Sequence, residues 1–195
     1  MVVFGKPRLN GGFSLLELLV VIAILGILMK IAWLPFREMI ANQRLRSVTS
    51  DLVADLALAR VEAIKRSSRV GVARTAAAGW EDGWQVFDDA NRDGKCQTGT
   101  SGGVCDAAGG EAVLVSRPAL NTTVKVCSAD ATFTVLTFGA DGTVRAYDGD
   151  PPPLGAIPRI TVSSTFDSPG VPARQLEFSP SGRVTVVSTG VAACP

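Results

Sequence analysis

Between Phe13 and Phe36 the sequence reads FSLLELLVVIAILGILMKIAWLPF, an apolar run broken by only two charges, Glu17 and Lys30. Coiled as an α-helix, these 24 residues extend about 36 Å, enough to cross a hydrocarbon core of roughly 30 Å. Lys6 and Arg8 precede the run and no acid does, so the positive-inside rule predicts a cytoplasmic N-terminus and export of everything beyond residue 36. A cleavable secretory signal fits less well, because the run is too long for an h-region and no A-x-A site follows it. The run also explains why mean hydropathy is positive, at +0.28.

Glu17 stands out within it. Translocon-based scales set roughly 2.5–3.5 kcal/mol against an acid at the centre of a membrane helix and less near an end, so an acid retained there calls for a partner. An interfacial carboxylate that snorkels to the headgroups is the plain alternative. The preceding residues, Gly11-Gly12-Phe13-Ser14-Leu15-Leu16-Glu17, resemble the type IV prepilin signal. In that signal a short basic leader ends in Gly, the next residue is usually Phe, and Glu stands at the fifth mature position. The resemblance implies a leader peptide over 1–12, cleavage between Gly12 and Phe13 by a prepilin peptidase, and N-methylation of Phe13. It also implies a single-pass inner-membrane helix over 13–36 that serves in assembly. In that setting the new Phe13 amine and a Glu17 carboxylate from a neighbouring subunit turn two costly buried charges into one pair, which selects a register between subunits.

Beyond Pro35, which is expected to kink the helix rather than end it, apolar residues recur at Leu45, Val48, Leu52, Leu56, Ala59 and Ala63. Steps of three and four draw one stripe down a helix, so an amphipathic helix is expected over 37–69. Its charges are mostly basic, a solvated face in the plain reading. After residue 70 the pattern alternates. Runs rich in Val, Thr, Phe and Trp near 70–74, 84–88, 111–116, 122–127, 132–138, 143–147, 159–165, 174–179 and 183–188 are separated by Gly, Pro, Asn and Asp. The expected fold is α+β: a long N-terminal helix packed, through the Leu45–Ala63 stripe, on an antiparallel β head over 70–195. Two segments share one pattern, Phe138 to Val144 and Phe178 to Val184, each reading Phe, three turn residues, Gly, one residue, Val. Both read as hairpins whose Gly supplies a positive φ.

The order of long helix, Gly83-Trp84-Gln-Val-Phe87, Asp89-Ala-Asn91-Arg-Asp93-Gly94, a final F-x-x-x-G-x-V hairpin and a C-terminal Cys resembles the GspH/FimT family of minor pilins and pseudopilins. The resemblance runs over nearly the whole chain from Gly12. It implies a type IV pilin-like fold and a low-abundance subunit of a type II secretion pseudopilus or a type IV pilus. The implied partners are prepilin peptidase, other major and minor pilins and the membrane, with the head in the periplasm or on a surface filament.

The four cysteines, Cys96, Cys105, Cys127 and Cys194, all fall in the part expected to be exported, where disulfides form. Of three possible pairings the expected one is Cys96–Cys105, closing a Gly-rich loop, with Cys127–Cys194 pinning the C-terminus to a central strand. Asp89, Asn91, Asp93 and Gly94 match the first half of an EF-hand calcium loop, but the twelfth position is Thr100 where a bidentate Glu is required. A turn carrying Asx hydrogen bonds accounts for the segment equally well, so no metal or cofactor is expected and calcium stands as the alternative.

Function classes narrow accordingly. The chain has no histidine, no phosphate loop and no pairing of nucleophile with base, so no enzyme is expected. Some FimT-type pilins are associated with DNA uptake through a basic C-terminal segment, which makes DNA binding the alternative function. From residue 75 onward, however, eight basic residues face thirteen acidic ones, a net of −5, which disfavours phosphate binding. Arg183 is the lone trace of such a segment, and a hairpin-turn arginine explains it as well. A structural filament subunit fits best.

Overall fold

The computed structural model describes residues 13–75, 79–94, 96, 111–128, 133–147, 159–166, 168–189 and 194. Gly12, Cys105 and the basic leader residues lie outside them. The chain divides into two compact units, Met1–Arg37 and Glu38–Pro195.

One helix, α1 (Leu15–Arg66, 52 residues), runs through Pro35. It starts at Ser14, whose side-chain oxygen accepts the Glu17 backbone N–H at 3.2 Å and whose carbonyl accepts that of Leu18, the arrangement of an N-cap. It ends where Ser67 turns left-handed, at φ 50°. There the N–H groups of Ser67 and Ser68 close back on the carbonyls of Ile64 and Ala63, and Lys65 and Arg66 complement the negative end of the helix dipole. Among the described residues no single unbent helix is long and apolar enough to cross a membrane. Leu15–Ile31 and Pro35–Arg66 taken together meet that length and composition.

In the second unit the expected stripe is the spine of the core. Leu45, Leu52, Leu56, Ala59 and Ala63 are fully buried, with Val48 packed at their margin. Nine strands follow among the described residues: β1 (Arg69–Arg74), β2 (Trp84–Asp89), β3 (Val113–Arg117), β4 (Val124–Ser128), β5 (Val135–Phe138), β6 (Val144–Tyr147), β7 (Arg159–Ser164), β8 (Ala173–Phe178) and β9 (Val184–Thr189). Each falls on one of the alternating runs, and every pairing is antiparallel. They divide into a five-stranded sheet, β3-β2-β1-β5-β6, and a four-stranded sheet, β4-β7-β8-β9. Val70, Val72, Val86, Leu136 and Phe138 of the first sheet meet Val124, Val126, Ile160, Val162 and Leu176 of the second, together with the helix stripe, in one apolar cluster. Trp80 stacks on Phe133 within it, ring centroids 5.6 Å apart. The other face of the first sheet carries a small cluster of Ala73, Phe87 and Val135, against which Cys96 packs.

A buried carboxylate ties the helix to the first sheet. Asp55 accepts the Trp84 indole N–H at 2.9 Å and both Nε (2.8 Å) and Nη2 (3.1 Å) of Arg117. Both oxygens of a residue only 3% exposed are thereby satisfied. That hydrogen bond holds the Arg117 guanidinium above its ordinary pKa.

Candidate functional site

The start of α1 has the composition of a core and the exposure of a surface. Phe13, Leu15 and Leu16 are 78%, 83% and 74% exposed, and Leu18, Leu19, Ile22, Ile27 and Ile31 are all more than half exposed. Free energy on the order of 1.5–3 kcal/mol per such side chain is left unrealised in the isolated chain, so this surface calls for an apolar environment. Glu17, exposed as well, is the first-turn acid of α1. Its position three residues after the Ser14 cap is also where a carboxylate favours a helix N-terminus.

The acidic segment after β2 is the turn with Asx hydrogen bonds that its sequence suggests, and its first acid is buried. Asp89 ends β2 and is fully buried. The chain then turns back through Arg92 (φ 63°) and Gly94 (φ 70°). Asn91 Oδ1 accepts the Asp93 N–H at 2.9 Å, and Asp89 Oδ2 accepts the Gly94 N–H at 3.0 Å. Burial pushes the Asp89 carboxyl above its ordinary pKa; the Gly94 N–H and Arg69 pull the other way, while Asp93 adds to the rise. Glu111, just before β3, is fully buried too. One carboxylate oxygen from each of Asp89, Asp93 and Glu111 lies within 4.8 Å of the others. Glu111 is not among the residues that the EF-hand-like pattern marks. Its signal was an acid at the head of an otherwise apolar strand run, a placement that surface composition does not explain.

Cys127 and Cys194 form a disulfide, Cα atoms 5.7 Å apart across 67 positions. The Cys194 N–H donates to Ser163 Oγ, so the C-terminal end is fastened to both β4 and β7. Cys96 is also disulfide-bonded, and its expected partner Cys105 lies outside the described residues. Arg183 is exposed in the β8–β9 turn, where its N–H donates to Ser179 Oγ at 3.1 Å and its carbonyl accepts the Ser179 N–H. The turn therefore engages its backbone.

Two family profiles match. The one described as Prokaryotic N-terminal methylation motif covers residues 7–31. The one described as Type II transport protein GspH covers residues 48–193. The chain belongs to the GspH family. No curated protein gives a significant sequence match. Two crystal structures of the type IV minor pilin FimU from Pseudomonas aeruginosa share the fold of this GspH-family chain at 19% identity. One has a TM-score of 0.52 over 74% of this chain and 89% of that one. The other, in a second crystal form, has a TM-score of 0.50 over 73% and 91%. A long N-terminal helix followed by an antiparallel β head is thus the type IV pilin fold. Family and fold are those of structural pilins rather than of enzymes.

Proposed function

We propose that this GspH-family chain is a minor pseudopilin or pilin, a structural subunit of a type II secretion pseudopilus or a related type IV pilus. In this reading a prepilin peptidase cuts between Gly12 and Phe13, and the new Phe13 amine is methylated. Residues 13–36 then anchor the chain in the bacterial inner membrane before passing into a helical filament core, with the head in the periplasm. The observation that carries it is a lone carboxylate, Glu17, set five residues from a Gly-Phe junction on a helix whose apolar side chains are exposed.

The apolar helix surface supports burial against lipid and then against the same helix of neighbouring subunits, where van der Waals packing and polar pairs hold helices together. A Phe13 ammonium from one subunit and Glu17 from another would then meet in a setting where either alone is expensive. The experiment separates this pairing from helix capping. Glu17→Gln keeps a first-turn acceptor but removes the charge. Processing of the prepilin and steady-state level should stay close to wild type, whereas incorporation into sheared filaments should fall at least tenfold. Normal incorporation of Glu17→Gln would defeat the charge pairing and leave Glu17 as a capping residue.

A further inference from the structure

Three carboxylates converge at the corner where β2 ends and β3 begins. Asp89 and Glu111 are fully buried and Asp93 is partly so. The oxygens that they present to one another lie within 4.8 Å. Asp89 Oδ1, moreover, is buried with no hydrogen-bond partner among the described residues, while its other oxygen takes the Gly94 N–H. A buried carboxylate with one unpaired oxygen beside two further carboxylates is unfavourable twice over, through lost hydration and through like-charge repulsion. A cation removes both.

We propose that Asp89, Asp93 and Glu111 form a divalent-cation site in the head, suited to calcium. The donors are all hard oxygens, which select calcium or magnesium over zinc or copper. The three oxygens lie within 4.8 Å of one another, close enough for one ion to touch all of them; an irregular set drawn from a loop and a strand end suits the flexible shell of calcium better than the strict octahedron of magnesium. The local chain has the bend that such a loop needs, with Gly94 at φ 70° six residues into the segment that begins at Asp89. The missing acid of the EF-hand pattern is supplied from a distance. Thr100 stands at the twelfth position, and Glu111 brings its carboxylate to the cluster from the chain entering β3. Because β3 is the outermost strand of its sheet, the ion would fasten an edge strand to the turn beside it.

The test uses the full chain in detergent. Calorimetric titration with calcium chloride should show one site per chain with a Kd on the order of 10⁻⁴–10⁻³ M, the range of exported modules. Unfolding should move up by several degrees in about 10 mM calcium relative to EDTA, and by less in the same concentration of magnesium. Glu111→Gln should weaken calcium at least tenfold. Asp89→Asn, which relieves the repulsion without the ion, should keep or raise the unfolding temperature in EDTA while abolishing the calcium-dependent rise. Absence of saturable heat and of any shift in the wild-type chain would overturn the proposal. So would a calcium shift of equal size in wild type, Glu111→Gln and Asp89→Asn, which would place the binding elsewhere.

Discussion

Gly142 and Gly182 carry the same job in two hairpins that belong to different sheets. Both are left-handed, at φ 74° and 79°, and both donate their N–H to the residue three before them, Gly139 and Ser179. Their surroundings differ. A Cβ on Gly182 would collide with the carbonyl oxygen of Gly142 as well as approach Arg60, whereas one on Gly142 would press only on the Ile64 and Arg60 side chains. The two turns therefore abut, and Arg60 bridges them, donating from Nε to the Gly142 carbonyl at 3.2 Å. Alanine at either position adds about 1–2 kcal/mol for the left-handed backbone. At Gly182 the rigid clash brings the loss to about 3 kcal/mol, while at Gly142 flexible side chains can yield. Urea unfolding should rank Gly182→Ala well below Gly142→Ala. Equal losses would mean that the turns move apart freely. The shared Phe-to-Val pattern revealed both turns in the sequence. Their meeting at Arg60 was not legible, since nothing local marks which distant carbonyl an arginine will find.

Among the elements, the Leu45–Ala63 stripe and all nine strand runs were legible because each is set by a local period, near 3.6 in the helix and two in a strand, punctuated by turn residues. The division into two sheets was not. β1 pairs both with its sequence neighbour β2 and with the distant β5, and such long-range pairing is decided by the core as a whole. Asp55 shows the same limit: as one acid on a helix with mixed charges it reads as solvated, yet it is buried against Trp84 and Arg117. Glu111 was hidden for the same reason, since its meeting with Asp89 and Asp93 depends on the pairing of β2 with β3 and not on any local pattern. The Cys127–Cys194 link is the element-scale device with the clearest consequence. It closes a separation of 67 residues, for which loop-closure entropy gives about 4 kcal/mol of stabilisation. Cys127→Ser and Cys194→Ser should each lower the free energy of unfolding by about that amount, and the double variant by no more. Calorimetry of the three proteins with and without reductant checks this, with reductant expected to shift the wild type more than the double variant. Losses that add in the double variant would show that the thiols matter through packing instead of the bond.

At the scale of the molecule, charge separates the two functions left open. Binding to DNA requires a patch of unpaired cations, because affinity comes largely from counterions released as phosphates are neutralised. In the second unit several of the described cations are already spent. Arg117 is held by Asp55, Arg66 lies between Glu62 and Asp88, Lys65 pairs with Glu62, and Arg159 faces Glu177 at 4.0 Å. Glu62 is held below its ordinary pKa by Arg66 and then Lys65, so it stays charged beside both at neutral pH. Against them stands the excess of thirteen acids over eight bases beyond residue 75. An exposed Arg183 offers a single phosphate contact, and one contact contributes a slope of only about −0.9 in log affinity against log salt. The detergent-solubilised chain should therefore cause no retardation of a 30-base-pair duplex at 50 mM salt and micromolar protein, and Arg183→Ala should behave identically. Micromolar binding that disappears on raising salt to 200 mM, and that Arg183→Ala reduces, would instead make the head a DNA receptor and reduce filament assembly to the means of presenting it.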